Sequence, residues 1–344
     1  MRELCSLYYA LPCPEVPPPP SASPSDRRST KSKADRRFWV ELASDMATII
    51  DGKAISAEIR AEIKQHATEL KEQHGVTPGL AVVLVGARTD SATYVRMKKK
   101  AAAEVAFHSV DKSFDESVTE AELLQCVRDL NADPEVHGIL VQLPLPKHIN
   151  EATVLEAILV EKDADGFSAD NIGNMCLKGG KQPLALPCTP AGCIELLKRS
   201  NIEISGKDCV VIGRSNIVGM PVAHLLQSLN GTVTVCHSRT KDLEGHVRRA
   251  DIVVAAIGSA EMVLGDWIKP GAVVIDVGMN SKPAPETAKG YKLCGDVDFA
   301  SAKEHASAIT PVPGGVGPMT IAMLLKNTLN LARHATGLPS LHTW

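Results

Sequence analysis

Ser91, Tyr94 and Lys98 stand at i, i+3 and i+7, a spacing that sets a hydroxyl, a phenol and an amine along one face of a helix. The apolar run Val82-Val83-Leu84-Val85 before them reads as a strand, Gly86 opens the turn, and Asp90 or Ser91 is placed to cap the new helix. Tyr94 and Lys98 then lie one turn apart over the C-terminal end of a strand, where α/β proteins bind ligands. A phenol there can stack on a flat ring, and an amine can take or give a proton. Taken alone, the pair also fits a solvated helix face, as Lys99 and Lys100 do.

The elements that must hold this face alternate in type from Ile49 onward. Helical periodicity covers roughly 55–73, 119–131 and 150–160, while 80–85 and 136–142 read as strands and Glu161–Phe167 as a loop. Thr189 is expected to cap a helix with Pro190 at its first position. Buried-looking strands follow at 208–212, 232–236, 251–257 and 272–277. Repeated β-then-α units with apolar strands imply parallel sheets covered on both faces, with a domain boundary near 187–189.

Composition bounds the rest. The 344 residues suffice for two cores, and 44% hydrophobic with 22% charged residues is ordinary for a globular chain. With only 3% aromatic residues the cores must be aliphatic, which suits parallel strands. A net charge of −3 argues against nucleic acid as a partner, and no apolar run is long enough to span a membrane. The nine scattered cysteines form no CxxC pair and read as free thiols in a reducing compartment, with Cys193, Cys209 and Cys236 acting as small buried hydrophobes. The eleven histidines show no metal-ligand spacing.

Residues 1–45 differ in composition, with the run Pro17–Pro20 and a Ser/Arg/Lys-rich stretch, and are expected to be a disordered N-terminal extension. Glu3, Glu15, Asp26, Asp35, Glu41 and Asp45 are uncharacteristic of a transit peptide, which favours a cytoplasmic protein; the alternative is an organelle, plastid or mitochondrion. Met46 is the expected working start of translation.

A strand, a tight turn and a helix start run from Val210 through Gly213, Arg214, Ser215 and Ile217 to Gly219. The glycines permit a sharp turn and close backbone approach, and open N–H groups at the helix start are expected to receive a pyrophosphate. The G-x5-G spacing is weak by itself, and the apolar strands that follow give it its context. At the end of the second strand stand His237, Ser238 and Arg239 with no acid to hold a ribose 2′-hydroxyl. Arg214 and Ser238, with Arg239 nearby, suit a 2′-phosphate instead, which favours NADP over NAD.

Six segments in order closely resemble the bifunctional methylenetetrahydrofolate dehydrogenase/cyclohydrolases. They are Ser91-x-x-Tyr94-Val-x-x-Lys98, Gly138-Ile-Leu-Val141-Gln142-Leu143-Pro-Leu-Pro, Lys162-Asp-x-Asp165-Gly, Pro187-Cys-Thr189-Pro190, the turn Gly213–Gly219, and Thr310-Pro-Val-Pro313-Gly314-Gly315-Val-Gly317-Pro-Met-Thr320. The resemblance spans about residues 48–335, and details such as His237-Ser-Arg-Thr look plant-type. It implies that 5,10-methylenetetrahydrofolate is oxidised with NADP to the methenyl form, which is then hydrolysed to 10-formyltetrahydrofolate. It also implies a homodimer and two α/β domains flanking a cleft, the C-terminal one a Rossmann-like parallel sheet. The folate-binding domain would comprise 46–187 plus 316–337, and the NADP domain 188–315. No synthetase domain of the larger relatives is expected.

Within that frame Lys98 is the candidate base for hydrolysis, held by Gln142 and supported by Ser91. A lysine acts so only where burial and a neighbouring cation favour its neutral form. The competing role for Lys98 is pairing with the substrate's anionic tail. Tyr94 would position the aminobenzoyl ring, and Asp165 would anchor the pterin, although an Asp before Gly166 also reads as a turn former. The resemblance adds Val141, Leu143, Pro313, Gly314, Gly315 and Gly317 to the folate side. To the cofactor side it adds Thr189, Gly213, Ser215, Ile217, Gly258, Met279 and Thr320. Phe107, Ala164, Ser168-Ala169, Ile257-Gly258-Ser259 and Met279 depart modestly from common family choices. A monofunctional dehydrogenase and a catalytically silent NADP-binding regulator are the alternatives, and retention of Lys98, Gln142, Tyr94 and Asp165 argues against both.

Overall fold

Residues 47–287 and 290–341 are described by the computed structural model. The first half runs β1 (Thr48–Ile49), α1 (Gly52–His74), β2 (Gly79–Val85), α2 (Thr89–Glu104), β3 (His108–Phe114), α3 (Glu120–Ala132), β4 (Gly138–Val141), α4 (Glu151–Glu156) and α5 (Ala169–Cys176). Then come α6 (Cys188–Arg199), β5 (Asp208–Ile212), α7 (Gly219–Ser228), β6 (Thr232–Cys236), α8 (Leu243–Val247), β7 (Ile252–Ala255) and β8 (Val273–Asp276). A hairpin of β9 (Asn280–Pro283) and β10 (Tyr291–Cys294) leads to α9 (Phe299–Ala302), β11 (Ala308–Ile309) and α10 (Val316–Ala335). The expectations for residues 1–45 and for Met46 fall outside the described residues.

The fold is α/β with two parallel sheets. The smaller has the order β3-β2-β4, with Val83 opposite Val141. The larger has the order β1-β11-β8-β7-β5-β6, parallel throughout, as a Rossmann-like sheet requires. Their aliphatic strands are buried as the composition demands: Leu80, Ala81 and Val83 in one, Val211, Val253 and Val254 in the other, are each 0% exposed. Helix α10 is buried along most of its length, Asn327, Thr328 and Asn330 included, and packs against α1 and α6. Asp51 caps α1 by accepting from the Lys53 and Ala54 N–H groups at 2.9 and 3.2 Å, and Gly75 closes it at φ 72°. Cys193, Cys209 and Cys236 are buried free thiols.

Several elements differ from the sequence reading. Thr48–Ile49, expected in the first domain, pairs with β11 and so belongs to the larger sheet. The polar edge strand β3 and the hairpin were not expected, because an exposed edge carries no apolar run. The strand expected over 136–142 shortens to Gly138–Val141, and the helix expected near 150–160 resolves into α4 and a 3-10 turn at Val160–Lys162. Helix α2 begins at Thr89 behind Arg88, with no side-chain cap, rather than at an Asp90 or Ser91 cap. Helix α6 likewise begins at Cys188 behind Pro187, so Thr189 sits inside its first turn instead of capping it.

Candidate active site

Helix α2 turns Ser91 and Lys98 into the protein, at 6% and 8% exposure, beside the buried Val95 and Ala102. Gln142 follows β4 directly, its N–H still donating to Val83 O at 2.8 Å, so the strand end fixes its backbone. Its side chain is fixed too. The Gln142 amide nitrogen donates to Leu143 O at 2.9 Å, which leaves Oε1 to accept from Lys98 Nζ at 3.0 Å. Tyr94, half-buried, reaches across to the loop that follows β8 of the larger sheet: its hydroxyl donates to Met279 Sδ at 2.9 Å.

The loop after the 3-10 turn divides its labour between two aspartates. Asp163 makes the turn, accepting from Gly166 N at 2.9 Å, Ser168 N at 2.7 Å and Asn171 Nδ2 at 3.1 Å. That leaves Asp165 out of the turn role that the Asp-Gly pair suggested. Burial lifts the Asp165 carboxyl to about 6, against the opposing pull of the Lys98 cation. Its Oδ1 lies 3.8 Å from the Cys188 thiol, which also faces Ala164 O at 3.5 Å. From α10, Asn327 donates to Ala164 O and Leu186 O, both at 2.8 Å, and so ties this loop to the start of α6. Asp163, Asn171 and Asn327 were not singled out in the sequence; only the folded partners reveal their work.

A cavity of about 330 Å³ gathers Tyr94, Lys98, Gln142, Thr189, Met279, Thr320 and the segment Pro311–Gly317. The glycines of that segment answer steric needs. Gly314 has φ 119°, and a Cβ on Gly52 would stand 1.8 Å from Gly315 O, so the start of α1 and this segment touch backbone to backbone. Val141, Leu143, Asp165 and Ile217 line a neighbouring cavity of about 920 Å³, which also takes in Met220 and His224 of α7. Thr189 and Thr320 meet hydroxyl to hydroxyl at 3.0 Å. Among the described residues no three His, Cys, Asp or Glu side chains form a metal-binding group.

The cofactor turn has the expected shape and one unexpected feature. Gly213 has φ 121°, and a Cβ there would meet Ala256 O at 2.1 Å. A Cβ on Gly219 would meet Gly213 O at 2.3 Å, so the close approach that Gly219 permits is to the turn itself. The helix-start N–H groups are not open. Ser215 Oγ takes Val218 N–H and Gly219 N–H at 3.2 Å each, and Ser215 O takes Met220 N–H at 3.1 Å. Arg214, Ser215 and Ser238 are exposed at the C-terminal edge of the larger sheet, and no acid occupies the tip of β6. A phosphate-bearing dinucleotide fits this donor set, with side chains rather than a bare helix end as the anion donors.

Residues 50–165 match the family model for the tetrahydrofolate dehydrogenase/cyclohydrolase catalytic domain, and 187–336 match that for the NAD(P)-binding domain. The chain belongs to this family. Bifunctional protein FolD 2 of Arabidopsis thaliana is 58% identical over 291 residues, covering 85% of this chain and 97% of the relative. The chloroplastic FolD 4 of the same plant is also 58% identical, over 83% of this chain and 79% of the relative. The solved Trypanosoma brucei enzyme, complexed with NADP and an inhibitor, superposes with a TM-score of 0.82 at 44% identity, covering 85% of this chain and 99% of the other. This member is therefore a bifunctional methylenetetrahydrofolate dehydrogenase/cyclohydrolase with NADP as its cofactor.

Proposed function

We propose that both reactions run in the cleft where Lys98, Tyr94 and Gln142 meet the Pro311–Gly317 segment, with roles as follows. Tyr94 offers its ring to the aminobenzoyl portion of the folate, and Asp165, as an anion, accepts N–H donors of the pterin. Gly314 and Gly315 let the backbone come close to the bound folate, while Pro313 and Gly317 shape the same wall. Loss of hydride leaves a resonance-stabilised cation, so this step depends on orientation more than on a base. NADP, when bound, supplies the hydride acceptor. Arg214, Ser215 and Ser238 would hold its phosphates, and Thr189, Ile217, Gly258, Met279 and Thr320 would line its path toward the folate.

In the second reaction water adds to the methenyl carbon. One water proton passes to Lys98 Nζ, the bond from that carbon to N5 breaks, and N5 takes up the other proton. Gln142 aims the amine. The observation that carries this reading is the Lys98 to Gln142 hydrogen bond, 3.0 Å long, in a cavity that Met279, from the loop after β8, also lines. Lys98→Met is expected to cut cyclohydrolase rate by about 10²-fold or more while NADP binding persists. Full cyclohydrolase activity in that variant refutes the assignment.

The same proposal includes a homodimer. Strand β6 ends the larger sheet in the order given above, and its backbone offers a pairing edge to a second copy. Sedimentation at the mass of a single chain would refute it. For the compartment, the acidic residues within 1–45 support the cytosol; import of a fluorescent fusion of this segment into an organelle would refute that.

A further inference from the structure

Behind the cofactor end of the cleft, two buried aspartates organise the backbone. Asp296 follows β10, is 0% exposed, and takes four donors. Its Oδ2 accepts Ile257 N–H at 2.6 Å and Gly258 N–H at 3.0 Å, and its Oδ1 accepts Ser259 N–H at 2.9 Å and Asn280 Nδ2 at 2.8 Å. Asp276 closes β8 at 3% exposure. Its Oδ1 accepts from Gly278 N and Asp296 N, and its Oδ2 from Val297 N, all at 2.9 Å, while its own N–H donates to Thr310 Oγ1 at 2.8 Å.

The pair therefore links three segments: 256–259 after β7, 277–279 after β8, and Thr310 at the head of the glycine-rich segment. Space for it is reserved by glycine. A Cβ on Gly278 would stand 2.3 Å from Asp296 Oδ1, and one on Gly295 would stand 1.8 Å from Asp276 Oδ2. Burying two carboxylates in such a place is costly even when they are hydrogen-bonded. Burial pushes the Asp276 carboxyl up to about 6 although three N–H groups favour its anion. Stability alone would be served as well by apolar residues. What the pair does control is position: Asp276, Val277, Gly278 and Met279 all line the cavity that holds Lys98, and Met279 receives the Tyr94 hydroxyl.

We infer that Asp296 and Asp276 are positioning residues for hydride transfer, fixing the backbone at Gly258 and Met279 against which the reacting end of the dinucleotide lies. Asp296 is fully buried and does not border that cavity, and Asp276, which does, has both carboxylate oxygens engaged by backbone N–H groups. The inference rests on placing that end of NADP beside Gly258 and Met279. A hydride step is sensitive to displacements of about 1 Å, whereas water attack at Lys98 does not need the dinucleotide in register.

The test uses the full chain and its Asp296→Asn variant, in which an amide NH2 must face a donor that the carboxylate accepted. Dehydrogenase kcat at saturating NADP is expected to fall by about 10-fold or more. Cyclohydrolase activity, measured on methenyltetrahydrofolate without NADP, and NADP affinity by fluorescence quenching should stay within about 3-fold. Parallel loss of both activities, or an unchanged dehydrogenase, overturns the inference. Should Asp296→Asn fail to fold, Asn280→Ala removes one donor only. A smaller, dehydrogenase-specific loss supports the inference, and no such loss overturns it. A wild-type chain without dehydrogenase activity would instead overturn the reading of the site itself.

Discussion

Asp165 carries two opposed demands. Its carboxyl is lifted to about 6 by burial, yet the anchoring role proposed for it, accepting pterin N–H donors, requires the anion. Folate affinity should therefore weaken as pH falls from about 7.5 to 5.5, the protonated form taking over below its raised value. A folate KM that rises over this interval in the wild type, and stays flat but high in Asp165→Asn, is the expected result. A flat wild-type profile would remove Asp165 from the anchoring role. This behaviour was only half legible in the sequence. The Asp163-x-Asp165-Gly166 pattern points to the loop, but it cannot say which aspartate makes the turn. That assignment needs the three donors converging on Asp163. The buried pair Asp276 and Asp296 left no local signal at all, because their partners lie on three separate segments.

Contacts between elements decide what the glycines are for. The 1.8 Å separation between a Cβ on Gly52 and Gly315 O cannot be relieved by turning a side chain, since both partners are backbone. Gly52→Ala should destabilise the fold by about 1–3 kcal/mol and depress both activities together, by shifting the segment that borders Lys98. Urea unfolding alongside both assays measures this, and an unchanged midpoint refutes the contact. Among the elements, long apolar strands and amphipathic helices were readable because burial imposes a period on the residues. β1, β11 and β3 were not. Two-residue strands such as Thr48–Ile49 and Ala308–Ile309 are too short for any period, and the polar β3 pairs through its backbone. The start of α7 misled for a related reason: a helix after a glycine turn suggests open N–H groups, but Ser215 already occupies them.

Across the whole molecule, ionisation sets opposing pH trends in stability. The folded state retains protons on Asp165 and Asp276 up to about 6, where the unfolded chain has released them, so these groups add stability as pH falls through that value. Glu62 acts in the other direction, held below the usual carboxylate range by Arg199, as does Asp251 by Lys269. Glu195 joins them because Lys326 and Arg199 outweigh its burial. Their contribution is present above the ordinary range and is lost as pH drops through the lowered values. Burial also holds the His137 imidazole below its usual value, which costs stability as pH falls through the imidazole range. Two carboxyls lifted to about 6 act against this one ring, so calorimetric unfolding should give a higher midpoint near about pH 5.5 than at about 8 or 3. A midpoint that declines steadily from 8 to 5.5 would contradict the two raised aspartates. Glu195 and Lys326 join α6 to α10, while Arg199 joins α6 to α1, so the same ion pairs clasp three helices far apart in sequence.

That clasp has a consequence for synthesis on the ribosome. Helix α10 supplies the apolar wall for α1 and α6, yet it is translated more than 240 residues after α1 has emerged. The apolar faces of α1 and α6 stay unshielded until that helix leaves the exit tunnel, after every strand of the larger sheet has been made. A messenger truncated ahead of Val316 would release a chain that carries every strand of both sheets but lacks the helix that covers α1 and α6, a natural client for chaperones.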